Sequence, residues 1–365
     1  MTVERCDVVV VGAGPAGCSA ALAAARAGAR ALILEKRREI GRPVQCAEYV
    51  PRQLRRHVPW SSDWVAQKIG LMRTHLPDGN VVETPAAGYV IHRDLFDQGL
   101  ADAARRAGAE VMLETQAVER TDDGLIARQG LDTFEIGARV IVGADGPRST
   151  VGGWIRQVDQ PRGIAIPQGQ RVLLAAQCRV HLREPMEATR VYFDPFYVGG
   201  YGWLFPKGEL ANVGVGVSSD KGPSLQEALR HLFDRLEIRP SAVIGHSGGL
   251  IPCGGPPRHT RRRNVILVGD AAGQTHPITG AGVAHACLCG QMAGRAAAKA
   301  ALSGDTGALE EYEREWRDYL GGVLAHAAAK RRFLERSWKQ DPAALSALLR
   351  QTWVAFPAYG VRRSR

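Results

Sequence analysis

Long apolar runs are missing from this 365-residue chain. No stretch of about 18 apolar residues occurs, which argues against a membrane-crossing helix. The apolar segment over 7–34 is broken by glycines and has neither a basic leader nor a small-residue cleavage site, so it does not read as a secretory signal. The expected location is the cytoplasm, with peripheral contact to the inner membrane left open. Acidic residues fall short of basic ones, 37 against 47, for a formal charge of +10. Basic clusters at Arg52–His57, Arg258–Arg263, Lys330–Arg336 and Arg362–Arg365 suit a solvated arginine-rich surface, an anionic membrane surface or an acidic electron-transfer protein. Aromatics are only 6% and do not interleave with the basic residues, so no nucleic-acid partner is expected. The seven cysteines include no C-x-x-C, and Cys287 and Cys289 share a C-x-C spacing that fits neither a zinc knuckle nor a redox pair. Most are expected to be reduced core residues. There is no metal-ligand cluster, no Ser/His/Asp spacing, no internal repeat and no low-complexity linker.

Two distant glycine-rich signals are present. The first is Asp7-Val-Val-Val-Val-Gly-Ala-Gly-Pro-Ala-Gly17, leading into an Ala-rich stretch that ends at Gly28. Its apolar start reads as a strand buried on both faces. Gly12 permits the tight turn, Gly14 lets the backbone approach a pyrophosphate, and Gly17 lets the helix pack on the strand. The helix N-terminus offers free amides to phosphate. A second strand, Ala31–Leu34, ends in Glu35, placed to accept hydrogen bonds from ribose hydroxyls. The second signal is Asn264-Val-Ile-Leu-Val-Gly-Asp-Ala-Ala-Gly273, followed by His276-Pro-Ile-Thr-Gly-Ala-Gly-Val283 and an apolar helix to about Ala301. Asp270 suits a ribityl or pyrophosphate-side hydroxyl, or a helix N-cap. The glycine-rich helix start suits the N1–C2=O edge of a flavin. Two loops for one long dinucleotide point to FAD.

Between these signals, short alternating runs over 63–91 around a Pro-Asp-Gly turn predict a hairpin. Arg93–Ala107 predicts a helix closed by Gly108. Glu110–Arg120, Gly124–Arg128 and Phe134–Val142 predict strands. Gln170–Val180, Ala188–Phe193, Gly200–Phe205 and Ala211–Ser218 predict an antiparallel sheet, 224–238 a helix, and the chain beyond 305 is helical to about Trp338. The expected fold class is α/β: a Rossmann-like FAD-binding domain with an inserted antiparallel β-sheet substrate domain and a helical C-terminus. FAD-binding parts are expected at 1–75, 93–163 and 259–304, a substrate-domain hairpin at 76–92, its sheet at 164–258, and the helical region at 305–365.

Three further elements carry a narrower resemblance. They are Pro43-Val-Gln-Cys-Ala-Glu48, Ile91-His-Arg-Asp-Leu-Phe-Asp97 and Tyr201-Gly-Trp-Leu-Phe-Pro-Lys207. With the two glycine signals they resemble the geranylgeranyl reductase family within the flavoprotein hydroxylase superfamily, over roughly residues 5–338. The resemblance implies that Cys46 lies by the flavin, that Arg93 contacts FAD, and that Gly143-Ala-Asp-Gly146 is a second pyrophosphate-side element with Asp145 ordering its loop. The implied cofactor set is Gly12, Gly14, Pro15, Ala16, Gly17, Glu35, Lys36, Cys46, Ala47, Arg93, Ala117, Asp145, Gly146, Gly269, Asp270, Pro277, Gly280, Gly282 and Val283. Tyr201, Trp203 and Phe205 would line a prenyl-substrate cavity, and strand alternation puts all three on one face. Tyr49 stands where the family has glycine and brings a ring towards the flavin or substrate. Cys46 is the candidate catalytic residue, and no metal is implied. His92 and His276 read as structural.

Two activities remain open at this stage. One is a reductase that saturates isolated C=C bonds of a prenyl chain by hydride transfer from flavin N5, with NAD(P)H or a ferredoxin-like donor as external reductant. The other is a monooxygenase or tailoring oxidase acting on an aromatic group of a small molecule or protein. Oxygen use separates them.

Overall fold

A computed structural model describes residues 4–156 and 171–360. The chain opens with β1 (Glu4–Val11), in which Val8, Val9 and Val10 are fully buried. A strand apolar on both faces needs cover on both sides, which helical crossovers on a parallel sheet provide. Then come α1 (Pro15–Arg26), β2 (Ala31–Leu34), β3 (Tyr49–Pro51), the long hairpin of β4 (Val65–His75) and β5 (Val81–Ile91), and α2 (Arg93–Arg106). Next are β6 (Glu110–Met112), β7 (Thr115–Arg120), β8 (Gly124–Gln129), β9 (Asp132–Gly143) and α3 (Thr150–Arg156). The next block holds β10 (Val172–His181), β11 (Ala188–Tyr192), β12 (Tyr201–Lys207), β13 (Leu210–Ser218), α4 (Leu225–Arg235) and β14 (Val243–Pro252). The last comprises β15 (Arg261–Arg262), β16 (Val265–Leu267), α5 (Val283–Ser303), α6 (Gly307–Trp316), α7 (Gly322–Arg336), α8 (Pro342–Thr352) and α9 (Pro357–Gly360).

Among the described residues the strands form two eight-stranded sheets. In the first, β16, β9, β1, β2 and β6 run parallel in that order, β15 closes one edge, and β7 and β8 form a meander on the N-terminal half of β9. Parallel neighbours end at the same side. The turns after β1, β9 and β16 therefore open together, although they lie more than a hundred residues apart in sequence.

The second sheet has the order β14-β10-β13-β12-β11-β4-β5-β3. It is not wholly antiparallel: β11 pairs with β4 in parallel. No tight turn joins those two strands, so nothing local imposes the antiparallel direction. The division drawn at 75/76 also needs correction, because it falls between the two strands of a hairpin that lies wholly in this sheet, together with β3. The 163/164 division and Gln170 lie outside the described residues, as does the basic cluster Arg362–Arg365. β14 was not anticipated, since Gly245, Gly248 and Gly249 make it read as a loop.

One face of the second sheet packs on α4, where Leu232 and Ala228 meet Leu204, Val213, Val215 and Val217. The opposite face carries Tyr201 and Phe205 and meets α7 and α8, in a core with Leu334, Leu345, Leu349 and Trp353. The helical stretch beyond 305 is interrupted by a π-turn at Arg317–Gly321 and continues past Trp338 into α8 and α9. Among the described residues no helix is long and apolar enough to cross a membrane.

Candidate active site

The crevice at the carboxyl ends of the parallel strands is built by close backbone approaches. Gly12 has φ 104°, and a Cβ there would lie 2.5 Å from the Ala144 carbonyl oxygen, so the turns after β1 and β9 touch. A Cβ on Gly17 would lie 1.9 Å from the Gly12 oxygen. Gly14 differs: a Cβ there would meet nothing within 4 Å. Pro15 and Ala16 open α1 immediately beyond it, and no side chain caps its first-turn amides. α5 likewise starts at Val283 after Gly282 without a side-chain cap. Gly269 brings the two helix starts together, since a Cβ on it would lie 2.9 Å from the Ala16 methyl.

Acidic groups frame this space. Glu35 accepts hydrogen bonds from the Ala13 amide at 2.8 Å and the Arg37 amide at 2.9 Å, tying the end of β2 to the glycine turn. Asp145 accepts from Ser149 Oγ at 2.5 Å and from the Thr150 amide at 2.7 Å, which fixes the turn before α3. Gly146 follows in left-handed backbone at φ 81°. Asp270 accepts from Thr275 Oγ1 at 2.5 Å. Burial pushes its carboxyl up, against the opposing effects of Thr275 and the Arg93 charge. The loop from buried Pro277 through Gly280 is closed by His276 N to Ala281 O and Gly280 N to His276 O, both 2.9 Å. Lys36 is exposed. Ala117 is buried in the core beneath β7, which leaves its backbone for any contact. Uncapped amides, an open glycine and flanking carboxylates are the donor and acceptor set an adenine dinucleotide requires, so these residues fit FAD.

Beside this crevice lies the stretch Gln45–Glu48. Arg93 makes a bidentate ion pair with Asp97, with distances of 3.1 and 2.9 Å, and its guanidinium also reaches the Cys46 sulfur. Burial works against the charge of Arg93, yet Asp97 and then Cys46 outweigh it and hold the guanidinium above its ordinary range. Cys46 Sγ accepts from the Glu48 amide at 3.2 Å. It is the half-buried cysteine; the other six are buried. Glu48 is 2% exposed and sits in left-handed backbone at φ 71°. Its carboxylate accepts from Lys207 Nζ at 2.6 Å, Asn212 Nδ2 at 2.8 Å and the Arg93 amide at 2.9 Å.

The second sheet holds this stretch from below. Gln45 donates to the Gly248 carbonyl on β14, Gln177 of β10 to the Cys46 carbonyl, and Asn212 of β13 to the Ala47 carbonyl. Sequence reasoning did not single out Gln177, Lys207 or Asn212. For the two amides the available signal was a buried polar side chain inside an otherwise apolar run, in Val172–Cys178 and Leu210–Val217.

Tyr201, Trp203 and Phe205 face this side of the sheet. Tyr201 stacks edge-on against Trp203 at 6.1 Å and Trp353 at 5.2 Å, and its hydroxyl donates to the Thr279 carbonyl at 2.5 Å, linking the aromatic row to the glycine loop before α5. Phe205 meets Tyr49 at 6.2 Å, and the Tyr49 hydroxyl donates to the Ala86 carbonyl. Beneath Tyr201, with Phe193, Ile278, Leu349 and Trp353, lies a void of about 10 Å³, room for about one water. His276 is buried, its Nδ1 accepts from the Thr279 amide, and Nε2 faces the Tyr359 hydroxyl at 3.2 Å. Among the described residues no cluster of three or more His, Cys, Asp or Glu forms a metal site.

A family model described as FAD dependent oxidoreductase matches residues 7–145, and one described as lycopene cyclase protein matches 219–350. A digeranylgeranylglycerophospholipid reductase of Methanothrix thermoacetophila is 38% identical over 352 residues, covering 91% of this chain and 88% of that protein. The solved structure of a geranylgeranyl bacteriochlorophyll reductase-like protein from Thermoplasma acidophilum matches with a TM-score of 0.81 at 26% identity, covering 96% and 97% of the two chains. A probable FAD-dependent monooxygenase from Pseudomonas aeruginosa matches with a TM-score of 0.67 at 20% identity, covering 95% of this chain and 100% of that one, a likeness of fold alone. Identity of 38% across 91% of the sequence settles the relationship: the chain belongs to the geranylgeranyl reductase family of FAD-dependent oxidoreductases.

Proposed function

We propose that this enzyme saturates isolated C=C bonds in the isoprenoid chains of a lipid, of the kind for which its relatives are named. The observation that carries the reading is the position of Cys46. Its thiol is partly open, lies against the Arg93 guanidinium, and stands between the glycine crevice and the aromatic row of β12. Gly12, Gly14, Pro15, Ala16 and Gly17 with Glu35, Gly146 and Asp145 would hold the dinucleotide end of FAD. Asp270, Gly280, Gly282 and Val283 with Arg93 and Ala47 would hold the flavin end. FAD, when bound and reduced by an external donor, would supply the hydride that adds to one alkene carbon. The Cys46 Sγ–H gives its proton to the other carbon, and the resulting thiolate is stabilised by Arg93 until solvent reprotonates it. Trp203, Phe205 and Tyr49 present an apolar wall that orients the chain and excludes water, and Tyr201 closes its far end. The external reductant is NAD(P)H or a ferredoxin-like protein, and the net positive surface suits an acidic donor.

The test is an anaerobic experiment on the purified flavoprotein. The flavin is reduced with dithionite, or with NADPH, and then exposed to a geranylgeranyl lipid or to air in separate samples. Reoxidation by the lipid without oxygen, with saturated product, is expected. Inert lipid together with oxygen consumption coupled to hydroxylation of an aromatic compound would replace this reading with the oxygenase one.

A further inference from the structure

Trp203, Gly214 and Gln177 form one row across three adjacent strands: Trp203 is in register with Gly214, and Gly214 with Gln177. The indole lies over the glycine. A Cβ on Gly214 would sit 2.4 Å from indole Cζ2 and 2.6 Å from Cε2, so only glycine at this point lets Trp203 reach across β13. The indole Nε1 then donates to Gln177 Oε1 at 2.9 Å, and Gln177 Nε2 donates to the Cys46 carbonyl at 3.0 Å. Chemistry fixes the amide's orientation. An indole can only donate and a carbonyl can only accept, so a flipped amide would set NH₂ against N–H and oxygen against oxygen. Gln177 is 7% exposed, and its amide joins two groups that the proposed mechanism uses separately.

We propose that Gln177 is a positioning residue for Cys46: it ties the Cys46 peptide to the Trp203 indole, so that the thiol and the aromatic wall keep one fixed separation. This rests on the roles given above to Cys46 and Trp203. The neighbouring pins from Gln45, Asn212 and Lys207 hold the residues on either side of Cys46; Gln177 holds its own carbonyl.

The test uses the full-length holoenzyme with Gln177→Glu. The variant keeps the side-chain shape and the acceptor for the indole, but when ionised it sets oxygen against the Cys46 carbonyl. Alkylation by iodoacetamide, read by mass at Cys46, is a direct report, because the other six cysteines are buried. The expected result is Cys46 alkylation faster on the order of tenfold, and kcat for lipid reduction lower by about tenfold with KM changed less than about threefold. As pH falls and the introduced carboxyl is protonated, it can donate again, so the variant to wild-type alkylation ratio returns towards one. Trp203→Phe, which keeps an aromatic ring but removes the donor, is expected to speed alkylation in the same direction and carries the test if Gln177→Glu does not fold. Wild-type alkylation rates in both variants would overturn the proposal, and would do so even if lipid reduction is found. Shifted alkylation in a protein that never reduces the lipid would leave the positioning role standing and remove the lipid reading.

Discussion

At the scale of single residues, two glycines three positions from one another do opposite things. Gly17 is sterically obligatory for the fold, whereas Gly14 borders open space. Gly14→Val is therefore expected to keep the melting temperature of the flavin-free protein within about 2 °C, since a change that meets no packed neighbour costs little, while flavin content after purification falls to near zero. Full flavin content in that variant would remove the glycine turn from the cofactor site. The buried pair Glu48–Lys207 makes a second case. Its side chains are 2% and 8% exposed, and the carboxylate also serves Asn212 and the Arg93 amide. Lys207→Met strands that carboxylate and should cost about 3–5 kcal/mol of stability in urea denaturation. The double variant Lys207→Met, Glu48→Gln should recover most of the loss, because no charge is then left unpaired.

At the scale of elements, the contact between α1 and α5 sets the crevice. Both helices are rich in alanine and glycine, and they approach so closely that a Cβ on Gly290 would lie 2.4 Å from the Ala16 carbonyl oxygen and one on Gly294 would lie 2.0 Å from that of Ala20. Small residues here let two helix N-termini stand side by side at one ligand. Gly294→Val must push the helices apart, with an expected cost of about 1–3 kcal/mol and weakened FAD retention, measured by thermal melting and by flavin released on dialysis. Preserved melting and retention would show that the crossing tolerates separation. β1, α1 and β2 were legible in the sequence because their period, caps and apolar content agree. β14 was not: it is a glycine-rich edge strand held by pairing with β10. α8 falls within the helical region expected over 305–365, but its packing was not legible, because Leu349 and the following Trp353 meet the distant Phe193 and Tyr201.

At the scale of the whole molecule, His276 links the glycine loop to the C-terminal α9 through Tyr359. Burial, followed by the charges of His285 and His326, lowers its pKa to about 4. Above pH 6.5 the imidazole is neutral in both folded and unfolded chains and contributes no pH dependence. As pH falls from 6.5 towards 4, the unfolded chain takes up a proton that the folded chain refuses, so stability declines across that window and the decline levels off below it. The contribution is about 1–3 kcal/mol. It should appear as a fall in melting temperature from pH 6.5 to 4 that is shallower in His276→Gln. An identical slope in that variant would assign the acid sensitivity to other groups.

The sequence by itself determined the dinucleotide half of this protein. A buried strand, a glycine turn, a helix and a terminal acid occupy one continuous stretch, and local sterics with helix-end amides suffice to specify what such a stretch can hold. It also marked Cys46, Arg93 and the aromatic alternation of β12 as separate signals. Only the tertiary structure decided how they meet. The Cys46 carbonyl is held from Gln177, 131 positions away, and Glu48 from Lys207, 159 positions away. The parallel junction of β11 with β4 likewise joins strands more than a hundred residues apart. Cross-strand register and the burial of isolated amides fix these contacts, and neither leaves a periodic trace in the chain.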